Sequence, residues 1–436
     1  MTKSTTATGF LEELSWRGLL YQMTAEDELR RHLAAPGRIA YCGFDPTADS
    51  LTIGNLIPIK MLMHWQRAGH RPIVVMGGGT GLIGDPSGKD DERQLMTRER
   101  VEHNVQRQRR IFDGLLDFDP ANPNAAIMVN NADWLARLGF IEVLRDVGKH
   151  FSVNVMIQKD SVKARLHQRE HGISYTEFSY VIMQAYDFLH LRREYGCTVQ
   201  VAGSDQFGNI VSGIDLIRRE FGQEEGQAFG VTAPMVTKAD GKKIGKTESG
   251  AIWLTADRTS PYAFYQFWIN AEDRDVGPFL RWYTTMTQEE IDDLEQRHAA
   301  APHERIAQRA LSGHMTAMLH GEAALRDVEA ASRALFSGDV RALDAAMLDE
   351  VFADVPHSDH AKAELEGDGV PLVDLLPGTT LATSKREARE FLGNGAVAVN
   401  GDKAGADRVL TASDLLHGRT ILLRRGKRSW HATKWS

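Results

Sequence analysis

A turn near residue 50 has the residue types of an anion site. In "DPTADSLTIGN" (45–55), turn-forming residues follow an apolar run, and Gly54 lies at the start of an apolar stretch with helical period. Such a junction exposes backbone N–H groups and the positive end of a helix dipole, and both attract anions. Gly54 would also let a flat ring approach the backbone where a Cβ would clash. The sequence therefore suggests a nucleotide site, with an ordinary structural turn as the alternative.

A second stretch, "KADGKKIGKTESG" (238–250), combines glycines with ammonium groups. Lys243, Lys246 and Thr247 follow Gly241 closely. A glycine-hinged loop of this kind could close over a polyphosphate and neutralise the charge that develops on a leaving group. A solvated basic surface loop would have the same composition, so this motif alone leaves both interpretations open.

A polar stripe occurs in "TEFSYVIMQAYDF" (176–188). On a helix, Tyr180, Gln184 and Asp187 are spaced i, i+4 and i+7 and share one face. Burying a phenol, an amide and a carboxylate is costly unless they have partners. A small polar ligand would supply those partners, whereas a stripe that faces solvent would need none.

Composition excludes several classes of protein. The 436 residues predict two or three domains at about 150 residues each. No apolar run approaches the ~18 residues of a membrane span, and the N-terminus lacks the apolar core of a secretory signal, so a cytoplasmic protein without a membrane partner is predicted. Cys42 and Cys197 show no metal-ligand spacing, so neither a disulfide framework nor a metal site is predicted. The net charge of -8 argues against a general nucleic-acid binder, although basic side chains gather after Arg408.

The order of predicted elements indicates an α/β protein. Short β-rich runs at 38–44, 72–78, 125–131 and 197–203 alternate with helical stretches, which is typical of a parallel sheet with crossover helices. We predict a Rossmann-like catalytic domain (1–255), a helical domain (256–355), a polar linker (356–369) and a small C-terminal α+β RNA-binding domain (370–436).

Several blocks together resemble bacterial tyrosyl-tRNA synthetases, which are class I aminoacyl-tRNA synthetases. "YCGFDPTADSL", "GHRPIVVMGGGTGLIGDPSGK", "YTEFSYVIMQAYDF", "GSDQFGNI" and "VTKADGKKIGKTESG" follow the family's order along nearly the whole chain. The first block leads into the HIGH-like signature of the class, and the last block contains the KMSKS-like signature. The resemblance implies activation of tyrosine by ATP with Mg²⁺, transfer of the tyrosyl group to tRNA(Tyr), and no tightly bound cofactor.

The resemblance also implies the roles of individual residues. Those expected to bind tyrosine are Tyr41, Asp85, Tyr180, Gln184, Asp187, Gln200 and Gln206. Those expected to bind ATP are Gly43, Asp45, Gly54, Gly203, Asp205 and Lys246. Those expected to serve catalysis are Thr47, Thr52, Asn55, Lys89, Arg93, Lys243, Lys246 and Thr247. Within these sets, Tyr41 and Asp187 would meet the phenolic hydroxyl, whereas Tyr180, Gln184 and Asp85 would meet the α-ammonium group.

Two positions depart from the family pattern. Thr52 and Asn55 occupy the places where the HIGH-like motif usually has histidines. Both can donate hydrogen bonds without being protonated. We expect Thr52, with Thr47, to hold the leaving phosphates through its hydroxyl.

The C-terminal part resembles an RNA-binding module of ribosomal-protein type. Its expected RNA-binding residues are Lys385, Arg386, Arg389, Arg424, Arg425, Lys427 and Arg428. A homodimer is also expected, through residues 142–162, because their apolar side chains exceed what a surface crossover normally exposes.

Two other functions remain open at this point. Loss of the signature histidine favours a non-catalytic RNA-binding paralogue of a synthetase. A tryptophan-specific relative is the second alternative, although an indole offers only an N–H donor and the pair of Tyr41 and Asp187 suits a hydroxyl better.

Overall fold

The protein divides into two compact units. The computed structural model describes residues 9–86, 95–159, 162–163, 173–242, 244–247, 250–353, 355–426 and 429–436. One unit comprises Met1–Ser260 and Phe267–Leu319, and the other comprises Pro261–Gln266 and His320–Ser436. None of the helices in these described ranges is long and apolar enough to cross a membrane.

The first unit is built on a six-stranded sheet. Its strands are β1 (Gln22–Met23), β2 (Ile39–Phe44), β3 (Arg71–Met76), β4 (Ile127–Asn130), β5 (Val199–Gly203) and β6 (Phe229–Ala233). Their order is β1-β6-β5-β2-β3-β4, with β1 antiparallel to β6 and the other neighbours parallel. Five of the six residues of β3 are buried, as expected for a parallel strand covered on both faces. The predicted Rossmann-like parallel sheet is confirmed.

Helices surround this sheet. They are α1 (Phe10–Arg17), α2 (Glu26–Leu33), α3 (Ile53–Arg67), α4 (Arg98–Asp113), α5 (Ala132–Leu135), α6 (Phe140–Glu142), α7 (Val153–Met156), α8 (Tyr175–Tyr195) and α9 (Phe207–Glu225). The described part of this unit also contains a π-helix (Val143–Val147) and three 3-10 turns (Thr80–Leu82, Gly148–His150, Ser204–Gln206). Apolar residues such as Ile73, Val75, Phe188, Ile210 and Ile214 join the sheet to α8 and α9 in one core.

The strand order fixes where a ligand site can form. From β2 the chain adds β3 and β4 on one side of the sheet, and β5 and β6 on the other. Connections that leave in opposite directions open a crevice at the carboxyl ends of the two strands, which here are Phe44 of β2 and Gly203 of β5. A short antiparallel pair, β7 (Lys246–Thr247) and β8 (Gly250–Ala251), belongs to the same unit.

The chain beyond residue 260 is mostly helical up to residue 351. The helices are α10 (Pro261–Ile269), α11 (Asp273–Tyr283), α12 (Gln288–Ala300), α13 (Ile306–Ser337) and α14 (Ala345–Val351). Gly321, with φ of 87°, interrupts α13. The helical content agrees with the pattern of the sequence, but residues 267–319 belong to the first compact unit and the rest to the second.

The second unit contains a five-stranded sheet. Its strands are β9 (His357–His360), β11 (Val397–Val399), β12 (Asp402–Lys403), β14 (Thr420–Arg425) and β15 (Ser429–Trp435), in the order β12-β11-β14-β15-β9. A separate pair consists of β10 (Val370–Pro371) and β13 (Val409–Leu410). The helices α15 (Leu372–Leu375) and α16 (Lys385–Gly393) pack in the same unit, and the Ser384 side chain accepts a hydrogen bond from the Glu387 N–H, as the sequence pattern at the start of α16 predicts.

The structure corrects the expected linker at 356–369. Residues His357–His360 form β9, which pairs in parallel with β15. Leu365 is 2% exposed and belongs to the core of the unit. A polar edge strand pairs through its backbone and keeps one side in solvent, so it does not show the apolar pattern that marks an inner strand.

Candidate active site

A cavity of about 490 Å³ opens at the carboxyl ends of β2 and β5. Fifteen of the expected site residues line it: Tyr41, Gly43, Asp45, Thr47, Thr52, Gly54, Asn55, Asp85, Tyr180, Gln184, Asp187, Gln200, Gly203, Asp205 and Gln206. The chain brings them together from β2, α3, α8, β5 and the turns that follow the strands. The polar stripe of α8 therefore faces this cavity and not open solvent.

The structure does not describe the side chains of the remaining catalytic candidates. Lys89, Arg93 and Lys243 lie outside the described residues. Lys246 and Thr247 lie on β7, which is described as backbone. Their expected contacts with phosphate stay a prediction.

One end of the cavity is closed by Asp187. Asn131 Nδ2 donates to Asp187 Oδ2 at 2.9 Å, and Trp134 Nε1 donates to Asp187 Oδ1 at 2.7 Å. Asn131 is itself fixed, since its Oδ1 accepts from the Gly79 N–H at 2.7 Å. Tyr41 is 1% exposed, and its hydroxyl has no hydrogen-bond partner among the residues that the structure describes. A buried hydroxyl without a partner is costly, so this end is prepared for a polar group of a ligand.

Burial changes the ionisation of this closed end. Desolvation raises the pKa of Asp187 to about 7, against the opposing effect of the hydrogen bonds from Asn131 and Trp134. Desolvation, with the nearby charge of Asp187, raises the pKa of Tyr41 well above its ordinary value. The Tyr41 hydroxyl therefore stays neutral, and the Asp187 carboxyl group titrates close to neutral pH.

Asp45 accepts hydrogen bonds from two hydroxyl groups of the cavity wall. The Tyr180 hydroxyl donates to Asp45 Oδ2 at 3.0 Å, and Thr80 Oγ1 donates to Asp45 Oδ1 at 2.7 Å. Burial, with the charges of Asp45 and Asp85, raises the pKa of Tyr180 well above its ordinary value. Each oxygen of Asp45 thus accepts a hydrogen bond from the protein, and the expected contact of Asp45 with ATP stays a prediction. Because the Tyr180 hydroxyl donates its hydrogen bond to Asp45, its oxygen remains free to accept one from a ligand ammonium group.

A chain of amides connects the middle of the cavity. Gln206 Nε2 donates to Asp85 Oδ2 at 2.6 Å, and Asn209 Nδ2 donates to Gln184 Oε1 at 2.9 Å. Asn209 also donates to Gln206 Oε1 at 3.2 Å. Gln200 is 2% exposed, and within the described part of the chain its Oε1 has no hydrogen-bond partner. Gln200, like Tyr41, is therefore a buried polar group of the cavity with an unfilled bonding position.

The open end lies at the N-terminus of α3. The Thr52 N–H and hydroxyl both donate to Asn55 Oδ1, at 3.0 and 2.9 Å. The Thr52 hydroxyl proton is thus used within the protein, and the expected contact of Thr52 with the leaving phosphates stays a prediction. The Asn55 amide nitrogen remains the donor of the pair, and Thr52 orients it.

Two glycines at this end have no explanation in the packing of the protein. A Cβ on Gly54 would have its nearest contact at 3.7 Å, and a Cβ on Gly43 would meet nothing within 4 Å. Neither residue has a positive φ. The space beside them is therefore consistent with close approach of a ligand to the backbone.

The cavity has an uneven charge. Among the lining residues that the structure describes there are four carboxylates, Asp45, Asp85, Asp187 and Asp205, and no lysine, arginine or histidine. In the described part of the chain, no group of three histidine, cysteine or acidic side chains could hold a metal ion. Such a cavity suits an ammonium group, whereas a triphosphate would need the positive charge of residues brought from elsewhere.

The basic residues of the second unit differ in availability. Arg386 and Arg389 are exposed on α16. Lys385 forms an ion pair with Asp374 at 2.7 Å. Arg425 donates to the Leu381 carbonyl at 2.6 Å and lies over Phe391, and Arg424 lies over Trp430. Lys427 and Arg428 lie outside the described residues. On the described surface, Arg386 and Arg389 are the better candidates for RNA contact.

Sequence reasoning missed several residues of the cavity. Asn131, Trp134, Thr80, Asn209 and Trp253 line it or hold its functional groups. Asn131 and Trp134 come directly after β4, so the rule that polar residues at the carboxyl ends of parallel strands form sites could have found them.

Comparison with known proteins agrees with this geometry. Residues 36–337 match the family described as tRNA synthetases class I (W and Y). This chain belongs to that synthetase family. Residues 348–433 of the synthetase match a second family, described as Tyrosine--tRNA ligase SYY-like C-terminal domain.

Individual relatives of the synthetase cover nearly all of its length. It is 52% identical to the tyrosine–tRNA ligase of Bacillus caldotenax, over 98% of this chain and 99% of the relative. It is 50% identical to that of Staphylococcus epidermidis, over 97% and 98%. Among solved structures, a C-terminally truncated mitochondrial tyrosyl-tRNA synthetase of Aspergillus nidulans superposes with a TM-score of 0.66 at 28% identity, covering 76% of this chain and 94% of that one.

Proposed function

We propose that this synthetase is a tyrosine–tRNA ligase. It activates tyrosine with ATP to give tyrosyl-adenylate and pyrophosphate, and it then transfers the tyrosyl group to the 3' end of tRNA(Tyr). The observation that carries the choice of amino acid is the closed end of the cavity, where the partnerless Tyr41 hydroxyl and the Asp187 carboxylate offer a donor and an acceptor to one phenolic hydroxyl.

This pair also selects against similar side chains. Phenylalanine would leave both Tyr41 and Asp187 buried and without the ligand's hydroxyl. Hydroxyl-based selection, of which tyrosyl-tRNA synthetases are themselves the known example, reaches about 10⁵. Tryptophan would bring only an N–H donor, which leaves the Tyr41 hydroxyl without an acceptor.

The middle of the cavity would hold the amino-acid backbone. The α-ammonium group would donate to the Tyr180 hydroxyl oxygen and to Asp85, with Gln184 beside them. Gln200 and Gln206 would orient the carboxylate, which attacks the α-phosphate. No residue of the enzyme becomes a covalent nucleophile, so catalysis comes from positioning and from charge complementarity.

The open end would hold ATP. Gly43 and Gly54 leave room for the nucleoside, Gly203 keeps clear of the Asp205 carboxylate, and the exposed Asp205 would accept from ribose hydroxyls. Thr47, with Asn55 oriented by Thr52, would donate to the phosphates. The positive charge would come from Lys89, Arg93, Lys243 and Lys246, with Thr247 beside them. Mg²⁺ would arrive with ATP and neutralise part of its phosphate charge.

The second unit would bind tRNA(Tyr). Exposed arginines on α16 suit contacts with the RNA backbone, which are electrostatic and sequence-independent. A cytoplasmic location is part of the same proposal.

A homodimer would form through the surface around α6 and α7. Large apolar side chains are exposed there, namely Phe140 (68%), Ile141 (70%), Val153 (59%) and Val155 (63%). An apolar cavity of about 240 Å³, lined by Phe140, Val143, Ile182 and neighbouring residues, lies beside them. A monomer rarely exposes such a patch.

Sedimentation should give a dimer at micromolar concentration and a monomer for the double variant Ile141→Asp, Val155→Asp. A monomeric parent would contradict the interface.

Amino-acid-dependent ATP–pyrophosphate exchange across all twenty amino acids tests the proposed activity. We expect rapid exchange with tyrosine alone. Exchange with tryptophan at a comparable rate would favour the tryptophan-specific alternative, and no exchange with any amino acid would favour the non-catalytic one.

A further inference from the structure

Trp253 lies where two parts of the open end meet. Its indole lines the cavity, and its backbone forms an antiparallel bridge with Thr52. On either side of the bridge, the Ile53 N–H donates to the Ile252 carbonyl at 3.2 Å, and the Leu254 N–H donates to the Leu51 carbonyl at 2.8 Å. Residues 252–254 are thus paired with residues 51–53, which lead into α3.

The same segment continues into β7 and β8. The Ile252 N–H donates to the Gly245 carbonyl at 2.9 Å, and Lys246 pairs with Ala251. Gly245 has a φ of 82°, and a Cβ on it would lie 3.3 Å from Ile53 Cβ. The strand that bears Lys246 is therefore tied by backbone hydrogen bonds to the start of α3.

Side chains fix Trp253 in this arrangement. The Arg258 guanidinium lies 4.5 Å from the indole centroid and 3.6 Å from Asp49 Oδ1 in the turn after β2. The backbone N–H of Trp253 donates to Thr259 Oγ1 at 3.0 Å. Arg258 thus bridges the indole to Asp49 of the β2–α3 turn, while Thr259 holds the backbone of residue 253.

We propose that Trp253 is a positioning residue for the activation step. It fixes the register between residues 252–254 and 51–53, so that β7 and the N-terminus of α3 are placed around the same triphosphate. This inference rests on the proposed activation of tyrosine by ATP.

The reason is the weakness of a short ladder. A pairing of three residues has few hydrogen bonds to define its register. A slip of one residue would move β7 by about 3.3 Å along the strand direction and turn Trp253 to the opposite face. A misplacement of about 1 Å in a catalytic arrangement costs up to about 100-fold in rate. The large indole, held by Arg258, opposes such a slip.

Kinetics of ATP–pyrophosphate exchange test the proposal. Trp253→Ala should lower kcat/KM for ATP about 10- to 50-fold, while tyrosine affinity, measured by equilibrium dialysis, stays within about twofold. Trp253→Phe, which keeps an aromatic ring, should retain most of the parent activity. Arg258→Gln should have a smaller effect that disappears in the Trp253→Ala background, because Arg258 acts through the indole.

A matched control is available on α4, where Arg107 contacts the same loop. Arg107 forms an ion pair with Asp257, the neighbour of Arg258, and does not line the cavity. Arg107→Gln removes one guanidinium as Arg258→Gln does, and it should leave the ATP kinetics unchanged.

Hydrogen exchange provides a readout that needs no activity. Without substrates, amides of residues 51–55 and 250–254 should exchange faster in Trp253→Ala and in Arg258→Gln than in the parent. In Trp253→Phe, the same amides should exchange about as slowly as in the parent. If the parent shows no tyrosine-dependent activity, the proposed function fails, while the exchange rates still decide whether Trp253 anchors this pairing. Unchanged amide exchange and ATP kinetics in both variants would overturn the inference, as would an equal loss of tyrosine and ATP affinity that Trp253→Phe does not rescue.

Discussion

The two ends of the cavity are built in opposite ways. At the closed end, both oxygens of Asp187 accept hydrogen bonds from Asn131 and Trp134, and the whole group is buried. At the open end, Thr52 and Asn55 bond to each other, and the lining residues that the structure describes supply no positive charge.

The difference separates recognition from chemistry. Selection of one amino acid requires polar groups whose positions are fixed before the ligand arrives, because only then does a wrong ligand leave them unpaired. Acceleration requires contacts that strengthen as charge moves to the leaving group. We infer that the closed end is preformed, whereas the open end is completed by ATP and by the residues of β7.

The largest effect is expected from a substitution at the closed end of the cavity. Asp187→Asn should lower kcat/KM for tyrosine about 100- to 1,000-fold, since the amide nitrogen must face one of two donors, Asn131 or Trp134. The KM for ATP should change little. Exchange kinetics at varied tyrosine measure this, with Asp133→Asn, an exposed neighbour on α5, as the control for charge. A loss of less than about fivefold would mean that Asp187 does not contact the substrate.

The next effect concerns the open end. Thr52→Ala should slow formation of tyrosyl-adenylate about 10- to 100-fold, because the Asn55 amide loses the hydroxyl that helps to orient it and keeps only the backbone N–H of residue 52. Tyrosine affinity should stay as in the parent. Stopped-flow measurement of the activation step decides this, and Thr52→Ser, which keeps the hydroxyl, serves as the control. A parent-like rate in Thr52→Ala would reduce position 52 to a helix-start residue.

A pH series should show the same division without any substitution. Asp187 has a pKa of about 7, and in the proposed complex only its ionised form can accept a hydrogen bond from the phenolic hydroxyl without giving up an acceptor site to its own proton. Tyrosine affinity should therefore rise about tenfold from pH 6 to pH 8. The stability of the free protein should change in the opposite direction. Because the pKa of Asp187 is higher in the folded protein than in the unfolded chain, the contribution of Asp187 to the free energy of unfolding falls as pH rises from about 4 through 7. Equilibrium binding at each pH tests the prediction, and tighter binding at low pH would contradict it.

The smallest effect lies outside both ends. The double variant Arg386→Glu, Arg389→Glu should weaken tRNA binding about 3- to 10-fold and reduce the slope of log K against log salt by about 2. Tyrosyl-adenylate formation should be unchanged. Arg31→Glu, on exposed α2, is the control for altered net charge. An unchanged salt slope would exclude these arginines as phosphate contacts.

The sequence was most informative where local pattern and long-range structure agree. The β-rich runs correspond to β2, β3, β4 and β5, because buried parallel strands are continuously apolar. The spacing of Tyr180, Gln184 and Asp187 placed them on one helix face, and that face lines the cavity. Which side of the helix is buried depends on the sheet and could not be read from the helix itself.

Other features depend on partners that are distant along the chain. Nothing near Asp187 in sequence shows that Asn131 and Trp134 complete its hydrogen bonds. The pairing of Thr52 with Asn55 was missed for a different reason, since either residue alone is a plausible donor and only geometry shows that one uses the other. The positions expected to carry positive charge stay predictions.

The parallel pairing of β9 with β15 has a kinetic consequence. β14 and β15 are neighbours in sequence, so they can pair early at little entropic cost, whereas His357 meets Ala432 only after a long loop has closed. β9 should therefore join the sheet late during refolding. It should also be among the first strands to leave during partial opening of the native unit, so that its detachment uncovers the edge of β15 while the rest of the sheet remains folded.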